Sequence, residues 1–330
     1  MIARLIPPPI PKSRTPPPLP VDRVRVRRDW KYLTPAELKK LKNLFFAARI
    51  IVEGAYSGKH KSSYKGSSPE FVDYREYNPG DEIRTIDWKA YAKTDRYFIK
   101  LFEKETDMNC YVLLDRSASM AYGGKSENSF FPEPEDSKLD YAFYLAAALI
   151  YLMVKQGDKV SLTLFDEKVR AHVPPGGTFP HLYKILSILE KQKAGGKTSV
   201  ARVLRDAFPL CQRKGLIILI SDLLDEPSEI FSALNMYRHR NFEIILMHVL
   251  HKYEYRLPPL DNVKFIDSET GESISSKPSE IREVYDAEIR EYIRTIASYA
   301  SARKIDYHLI TTDTPYSVAL QKYLLRRGSR

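Results

Sequence analysis

Three residues set the chemistry this chain could perform. In Val112-Leu113-Leu114-Asp115-Arg116-Ser117-Ala118-Ser119-Met120 an apolar run ends in a carboxylate followed by hydroxyls at alternate positions. Asp115, Ser117 and Ser119 are hard oxygen donors, and such donors held at one point suit a small divalent cation such as Mg²⁺. A second apolar run, Leu216 to Ile220, ends in Ser221-Asp222, again a hydroxyl and a carboxylate. Between the two, Gly195-Gly196-Lys197-Thr198 reads as a flexible loop opening a helix, with Thr198 as its cap. One or two carboxylates with neutral hydroxyls suffice for Mg²⁺, which keeps several waters; Mn²⁺ or Ca²⁺ would accept the same donors. Sparing use of carboxylates leaves such an ion electron-poor, so that it takes one from a partner. The competing reading of Asp115 is a cap for the following turn, with its serines satisfying loop amides.

Catalysis fits these residues less well. Ser221 lacks the Gly-x-Ser-x-Gly elbow of a nucleophilic serine, and none of the seven histidines lies in the segments carrying the oxygen donors. A phosphatase of the haloacid-dehalogenase type would also place an Asp after a first strand and use Mg²⁺. It needs a second carboxylate two residues on, where Ser117 stands. Arg116 is the discordant residue: a cation between two metal donors is repelled unless it turns to solvent or pairs with a carboxylate, for which Asp225-Glu226 offers itself. The long loop from Gly123 to Ser137, with four acids, would border the site.

The elements that must position these residues are legible from position 110 onward. Strands are expected at 110–114, 160–165, 169–173, 216–221, 243–250, 263–266 and 306–310. Helices are expected near 139–156, 180–192, 199–212, 228–238, 281–301 and 316–326. Alternation of this kind argues an α/β fold, a doubly wound, mostly parallel sheet covered on both faces. Only Asp166-Glu167-Lys168 separates 160–165 from 169–173, so that pair must be a hairpin and one edge strand antiparallel. In such a sheet, ligands collect beyond the carboxyl ends of the strands, where the strand order reverses. Asp115 sits there.

Ahead of this unit lies a smaller N-terminal α+β region. Residues 1–20 hold Pro7-Pro8-Pro9 and Pro16-Pro17-Pro18 and read as a disordered, proline-rich tail. Residues 21–105 form the second segment. Val24-Arg25-Val26-Arg27 suggests an edge strand with a basic outer face, and Thr34-Pro35-Ala36-Glu37 opens a helix running to Val52. Asn78-Pro79-Gly80-Asp81 marks a type II turn. The surrounding Asp73, Glu76, Asp81 and Asp87 alternate with Arg75, Arg84 and Lys89, the makings of a salt-bridged knot. The third segment, 106–330, carries the sheet and a C-terminal α/β extension.

Of a net charge of +10, residues 1–50 hold 12 Lys/Arg against 3 Asp/Glu, so the basicity belongs to an arm. Nucleic-acid contact through it has only Trp30 and Tyr32 as nearby stacking rings and is not expected. No run is long and apolar enough for a membrane helix; the longest uncharged one, Tyr141 to Val154, reads as a helix buried on all sides. No secretory signal is legible either. Cys110 and Cys211 read as core thiols, and cytoplasm is the expected compartment.

Residues 110–250 resemble a von Willebrand factor A-type domain. The resemblance implies that Asp115, Ser117, Ser119, Thr198 and Asp222 form a metal-ion-dependent adhesion site, the two serines and the threonine coordinating the ion and the aspartates often acting through water. The string Tyr74-Arg75-Glu76-Tyr77-Asn78-Pro79-Gly80-Asp81-Glu82-Ile83-Arg84-Thr85-Ile86-Asp87-Trp88, with Tyr97-Phe98-Ile99-Lys100 after it, looks like the signature of the bacterial and archaeal "domain of unknown function 58" proteins. Membership implies a non-enzymatic adaptor that accompanies a MoxR-type AAA+ ATPase. The ATPase or its client would then donate a Glu or Asp carboxylate to the ion.

Overall fold

The computed structural model describes residues 30–36, 38, 41, 70–77, 86–103, 108–123, 137–268 and 270–328. Strands β1 (Glu70–Glu76) and β2 (Phe98–Glu103) pair antiparallel as a separate ribbon, with helix α1 (Trp88–Thr94) between them. The sheet that follows contains β3 (Asn109–Asp115), β4 (Lys159–Phe165), β5 (Val169–Gly176), β6 (Gly215–Ser221), β7 (Glu243–Leu250) and later β10 (Asp306–Thr311). Helix α2 (Lys138–Lys155) connects β3 to β4. Helices α3 (Phe179–Leu189) and α4 (Val200–Ala207) lie between β5 and β6, and α5 (Pro227–His239) between β6 and β7. After β7 come the one-turn helix α6 (Lys252–Tyr255), the hairpin β8 (Val263–Ile266) and β9 (Ser273–Ser276), and helices α7 (Pro278–Ala302) and α8 (Tyr316–Gly328), which flank β10.

The sheet order is β10-β7-β6-β3-β4-β5, with every neighbour parallel except β4 and β5. The expected doubly wound sheet and its antiparallel edge are both present. From β3 the chain winds outward to β4 and β5, then returns to place β6 on the other side, so the order reverses between β3 and β6. In open sheets of this kind that is the point at which ligands collect beyond the carboxyl edge.

Strands covered on both faces need apolar residues at consecutive positions, and β3 and β6 have them. Cys110, Val112 and Leu114 join Leu216, Ile218 and Ile220 in one core, under α2, α3 and α8. Tyr111 and Leu113 join Ile217 and Leu219 in the other, under α4, α5 and α7. Both thiols are buried and free of disulfides, as expected. Helix α2 buries 14 of its 18 residues, in keeping with its uncharged run. Ser137 caps it, its hydroxyl accepting from Asp140 N.

Several expectations need correction. The strand at 263–266 forms, but outside the main sheet, in a hairpin with β9 that the sequence reading missed. The helix expected over 199–212 ends at Ala207, where Pro209 cannot continue it and a tighter turn over Phe208–Leu210 takes over. Of the expected salt-bridged knot, Glu76 pairs with Arg96, 3.3 Å away, and Asp87 accepts from Ala90 N at the start of α1, while Asp81, Arg84 and the side chains of Asp73, Arg75 and Lys89 lie outside the described residues. Helices α1 and α6 had no counterpart in the sequence reading. Residues 35, 36, 38 and 41 are helical, as the capping box requires, while the proline-rich tail, the basic edge strand expected over 21–31 as far as residue 29, and the 78–81 turn lie outside the described residues; Trp30 and Leu33 form an isolated bridge with Lys31 in the turn between them.

Candidate metal centre

Because β3 and β6 are parallel neighbours in register, Leu114 beside Ile220, their carboxyl ends bring Asp115 and Ser221-Asp222 together. Asp115 is fully buried. Its Oδ1 accepts from Ser117 N at 2.8 Å and its Oδ2 from Ser221 Oγ at 2.7 Å. The Ser117 and Ser119 hydroxyls are 3.0 Å apart, and the Ser119 side chain hydrogen-bonds the Asp222 carboxylate. Four of the five sequence-predicted donors thus belong to one network. The third loop docks by its backbone: Gly195 N donates to Arg116 O and Ala118 N to Gly196 O, each at 2.9 Å, which brings Thr198, two residues on, to the same edge. Gly196 must be glycine. It has φ +83°, and a Cβ there would lie 2.9 Å from Asp166 Cγ.

Thr198 is not the helix cap it was expected to be. Ser199 holds that position in α4 without a side-chain bond, and Asp225, from the loop after β6, accepts from Ala201 N at 3.2 Å instead. Arg116 finds its carboxylate elsewhere too. Its guanidinium donates to Lys193 O at 2.6 and 3.0 Å and lies 3.9 Å from Asp166, not beside Asp225-Glu226. That orientation points its charge along the neighbouring loop and answers the repulsion argument. Residues 124–136 of the bordering loop lie outside the described residues.

The largest electrostatic feature was absent from the sequence reading. Lys138, in the first turn of α2, is 0% exposed, and its ammonium is 2.7 Å from Asp222 Oδ2 and 2.7 Å from Glu254 Oε1. A helix N-terminus disfavours a cation, so the two carboxylates must hold it there. Burial would lower the lysine, but Asp222 and Glu254 raise it above the usual range. Burial would likewise raise Asp222; the Lys138 charge and hydrogen bond, with Ser119, hold it below the ordinary carboxylate range. Glu254 stays raised by burial, with Lys138 opposing. Asp115 has neutral donors only, Ser117 N and Ser221 Oγ, and burial followed by the Asp222 charge pushes it to about 7. The one available sequence signal was a lysine opening an otherwise apolar helix.

Two histidines also reach this region, although neither lies in a donor segment. His248 pairs in register with Ser221, is fully buried, and is held down to about 4 by burial. Its Nδ1 is 2.8 Å from the Tyr307 hydroxyl. His251 caps α6 and packs edge-on against Tyr122, at the end of the Ser117–Ser119 turn. Gly123 has φ +89°, and a Cβ there would lie 2.5 Å from the His251 ring. Leu223, directly after Asp222, adopts φ +53°, costly for a branched residue. Its N–H bonds to Ser221 Oγ at 2.9 Å, its carbonyl accepts from the Tyr292 hydroxyl, and its side chain is buried, which together hold that turn.

The donor chemistry fits a hard divalent ion: two carboxylates and neutral hydroxyls converge, and Asp115 has no charged hydrogen-bond donor. Among the described residues no group of three or more His, Cys, Asp or Glu side chains is arranged for metal binding. Among the described residues, too, no helix is long and apolar enough to cross a membrane.

The family model described as "Protein of unknown function DUF58" matches residues 73–294. The uncharacterized proteins Mb1516 of Mycobacterium bovis and Rv1480 of Mycobacterium tuberculosis are each 24% identical over 234 residues, 70% of this chain and 70% of theirs. Among solved structures, BatB from Bacteroides thetaiotaomicron is 15% identical and covers 68% of this chain and 100% of its own, with a TM-score of 0.43. The SpRpn10 VWA domain is 9% identical, with coverages of 64% and 93% and a TM-score of 0.40. With two thirds of its length inside the family model, the chain belongs to the DUF58 family of proteins of unknown function, built on a doubly wound sheet with one antiparallel edge.

Proposed function

We propose that this chain is a non-enzymatic protein-binding module that holds Mg²⁺ through Ser117, Ser119 and Thr198, with Asp115 and Asp222 behind them. The observation that carries the reading is the convergence of the Asp115, Ser117, Ser119 and Asp222 oxygens, from two loops, at the point where the strand order reverses. When bound there, a divalent ion supplies a Lewis-acidic position that a Glu or Asp of another protein completes. The chain's own residues do the rest. The Ser117 and Ser119 hydroxyls fix the donor spacing, Lys138 and Ser119 keep Asp222 ionised, and the Gly195-Gly196 loop, bonded to residues 116 and 118, carries Thr198. The partner is a MoxR-type AAA+ ATPase or its client, a choice that rests on the family resemblance alone.

Hydrolysis gains no support from the geometry. Ser221 is fully buried and its hydroxyl donates to Asp115, so it has neither access to substrate nor a histidine base in hydrogen-bond contact. Asp115 is fully buried as well, which disfavours it as a phosphatase nucleophile.

Titration calorimetry with Mg²⁺, and co-purification with the ATPase in Mg²⁺ or EDTA, test the proposal. Wild type should bind Mg²⁺, Asp115→Ala and Ser119→Ala should not, and EDTA should release the partner. Partner capture that survives both EDTA and Asp115→Ala would overturn it.

A further inference from the structure

We infer that the partner segment recognised at this edge is acidic beyond the one carboxylate that meets the ion, because the loops on one side of the centre carry uncompensated positive charge. The inference rests on the metal-bridge reading and names the kind of peptide that reading requires.

Three loops converge beside the donors. Residue 116 follows β3, residues 166–168 join β4 to β5, and residues 190–198 join α3 to α4. Their contact is direct: Arg116 N donates to Phe165 O at 2.7 Å, the Arg116 guanidinium to Lys193 O, and the Gly195 and Gly196 backbone meets residues 116–118. The acids of these loops are already engaged. Asp166 is bridged by Arg170 at 2.6 Å, Glu167 by Arg170 at 3.4 Å, and Glu190 accepts from Lys31 N at 2.7 Å. Lys168, Lys191, Lys193 and Lys197 are left exposed, and among the described residues none of the four is ion-paired. Lys197 directly precedes Thr198. Four like charges held together cost self-repulsion, which an acidic ligand relieves.

The opposite flank differs in kind. Beyond β6 and β7, Leu224 is 44% exposed and Tyr122 38% exposed, both anchored to the site, by Leu224 N to Asp222 Oδ1 and Tyr122 N to Ser119 O. Contacts of Arg116 with Lys193 O and Asp166, and of Gly196 with Asp166, set the lysine loops on the β4 side of β3, while Leu224 follows β6 and the Tyr122 ring packs on His251 after β7. A segment lying across the centre therefore meets cations on one side and, on the other, the exposed Leu224 and Tyr122 with the exposed Glu226 beside them. An acidic peptide with a neighbouring aliphatic residue matches both. A nucleic-acid strand matches less well: residues 166–170 and 190–197 contain no aromatic ring for base stacking.

The test uses a fluorescein-labelled peptide with a central Glu, further Asp and Glu on one side and Leu on the other, and a control with Gln at the flanking acids. Binding is read by fluorescence anisotropy in Mg²⁺. Wild type should prefer the acidic peptide, and Lys193→Glu with Lys197→Glu should weaken it about tenfold while Mg²⁺ binding and thermal stability are retained. Leu224→Ser should weaken both peptides alike. No binding by wild type, equal affinity for both peptides, or full affinity in the double variant would overturn the inference. So would single-stranded DNA displacing the peptide with higher affinity. Peptide binding lost in the lysine variant but insensitive to EDTA and Asp115→Ala would sustain the basic flank and remove the metal bridge. The reverse pattern would sustain the bridge and remove the flank.

Discussion

Lys138→Met is the most demanding perturbation of this centre. The ammonium lies 2.7 Å from each of two carboxylate oxygens and is wholly removed from solvent. Methionine preserves most of the apolar length of the side chain, so the variant isolates the charge. Removing one partner of a buried ion pair costs about 3–5 kcal/mol, because the charge left behind is uncompensated. The helix N-terminus pulls the other way by only about 0.3–1 kcal/mol, since it disfavours the lysine, and this cannot offset the loss. For a domain of this size the thermal midpoint should fall by about 10 °C. Neutralising Asp222 as well, in Lys138→Met with Asp222→Asn, should recover part of that fall. Excess Mg²⁺ should raise the midpoint of Lys138→Met more than that of wild type, since ligand binding to the native state stabilises it and the ion replaces the missing charge. Scanning calorimetry with and without Mg²⁺ reads all of these. A fall of less than about 2 °C would refute the reasoning, as it would mean that the two carboxylates take up protons or water at little cost.

Two further outcomes are expected. Burial would raise Asp140, but hydrogen bonds from Lys31, Tyr32 and Ser137 hold it below the ordinary range, so its contribution is complete above about pH 4 and disappears as the pH falls through the depressed value. Asp140→Asn should therefore cost about 1 kcal/mol at neutral pH, limited by the exposure of Lys31, and nothing once the wild-type carboxyl is protonated; urea titrations across the acid range would show the two curves converging. In Gly215→Ala the new Cβ would lie 2.0 Å from Asn109 O, forcing β3 and β6 apart where they first pair. A loss of about 2 kcal/mol or more, measured by denaturant unfolding, should accompany weaker Mg²⁺ binding, because Asp115 and Asp222 depend on that pairing.

The motif and its placement were legible because both depend on local order in the chain. A buried strand announces itself by uninterrupted apolar residues, and the next polar residues then have to stand at its mouth, as Asp115 and Ser221-Asp222 do. The three-residue connection at 166–168 likewise admits only a hairpin. What sequence could not supply was the pairing of groups far apart along the chain. Lys138, Asp222 and Glu254 meet across separations of 84 and 116 residues, and nothing in the local context of Glu254 marks it as a partner. Arg116 illustrates the same limit, since its acceptor is a backbone carbonyl, which sequence leaves anonymous. The Thr198 cap failed for a subtler reason: consecutive Thr198 and Ser199 can each cap a helix, and the choice was settled by Asp225 arriving from another loop.

Edge strand β5 ends in Pro174-Pro175-Gly176, with both prolines exposed. Neither residue has an N–H to offer, and since successive N–H groups of a strand point to opposite sides, one of the two missing donors falls on the free margin, where another strand would find a gap in its ladder. That gap makes this end of the margin a poor template for β-addition and for the stacking that leads to fibres, a hazard for any sheet as apolar as this one. A protein whose neighbours cannot extend its sheet on that side must be met through its loops, and the loops at the carboxyl edge are where its charge and its oxygen donors are gathered.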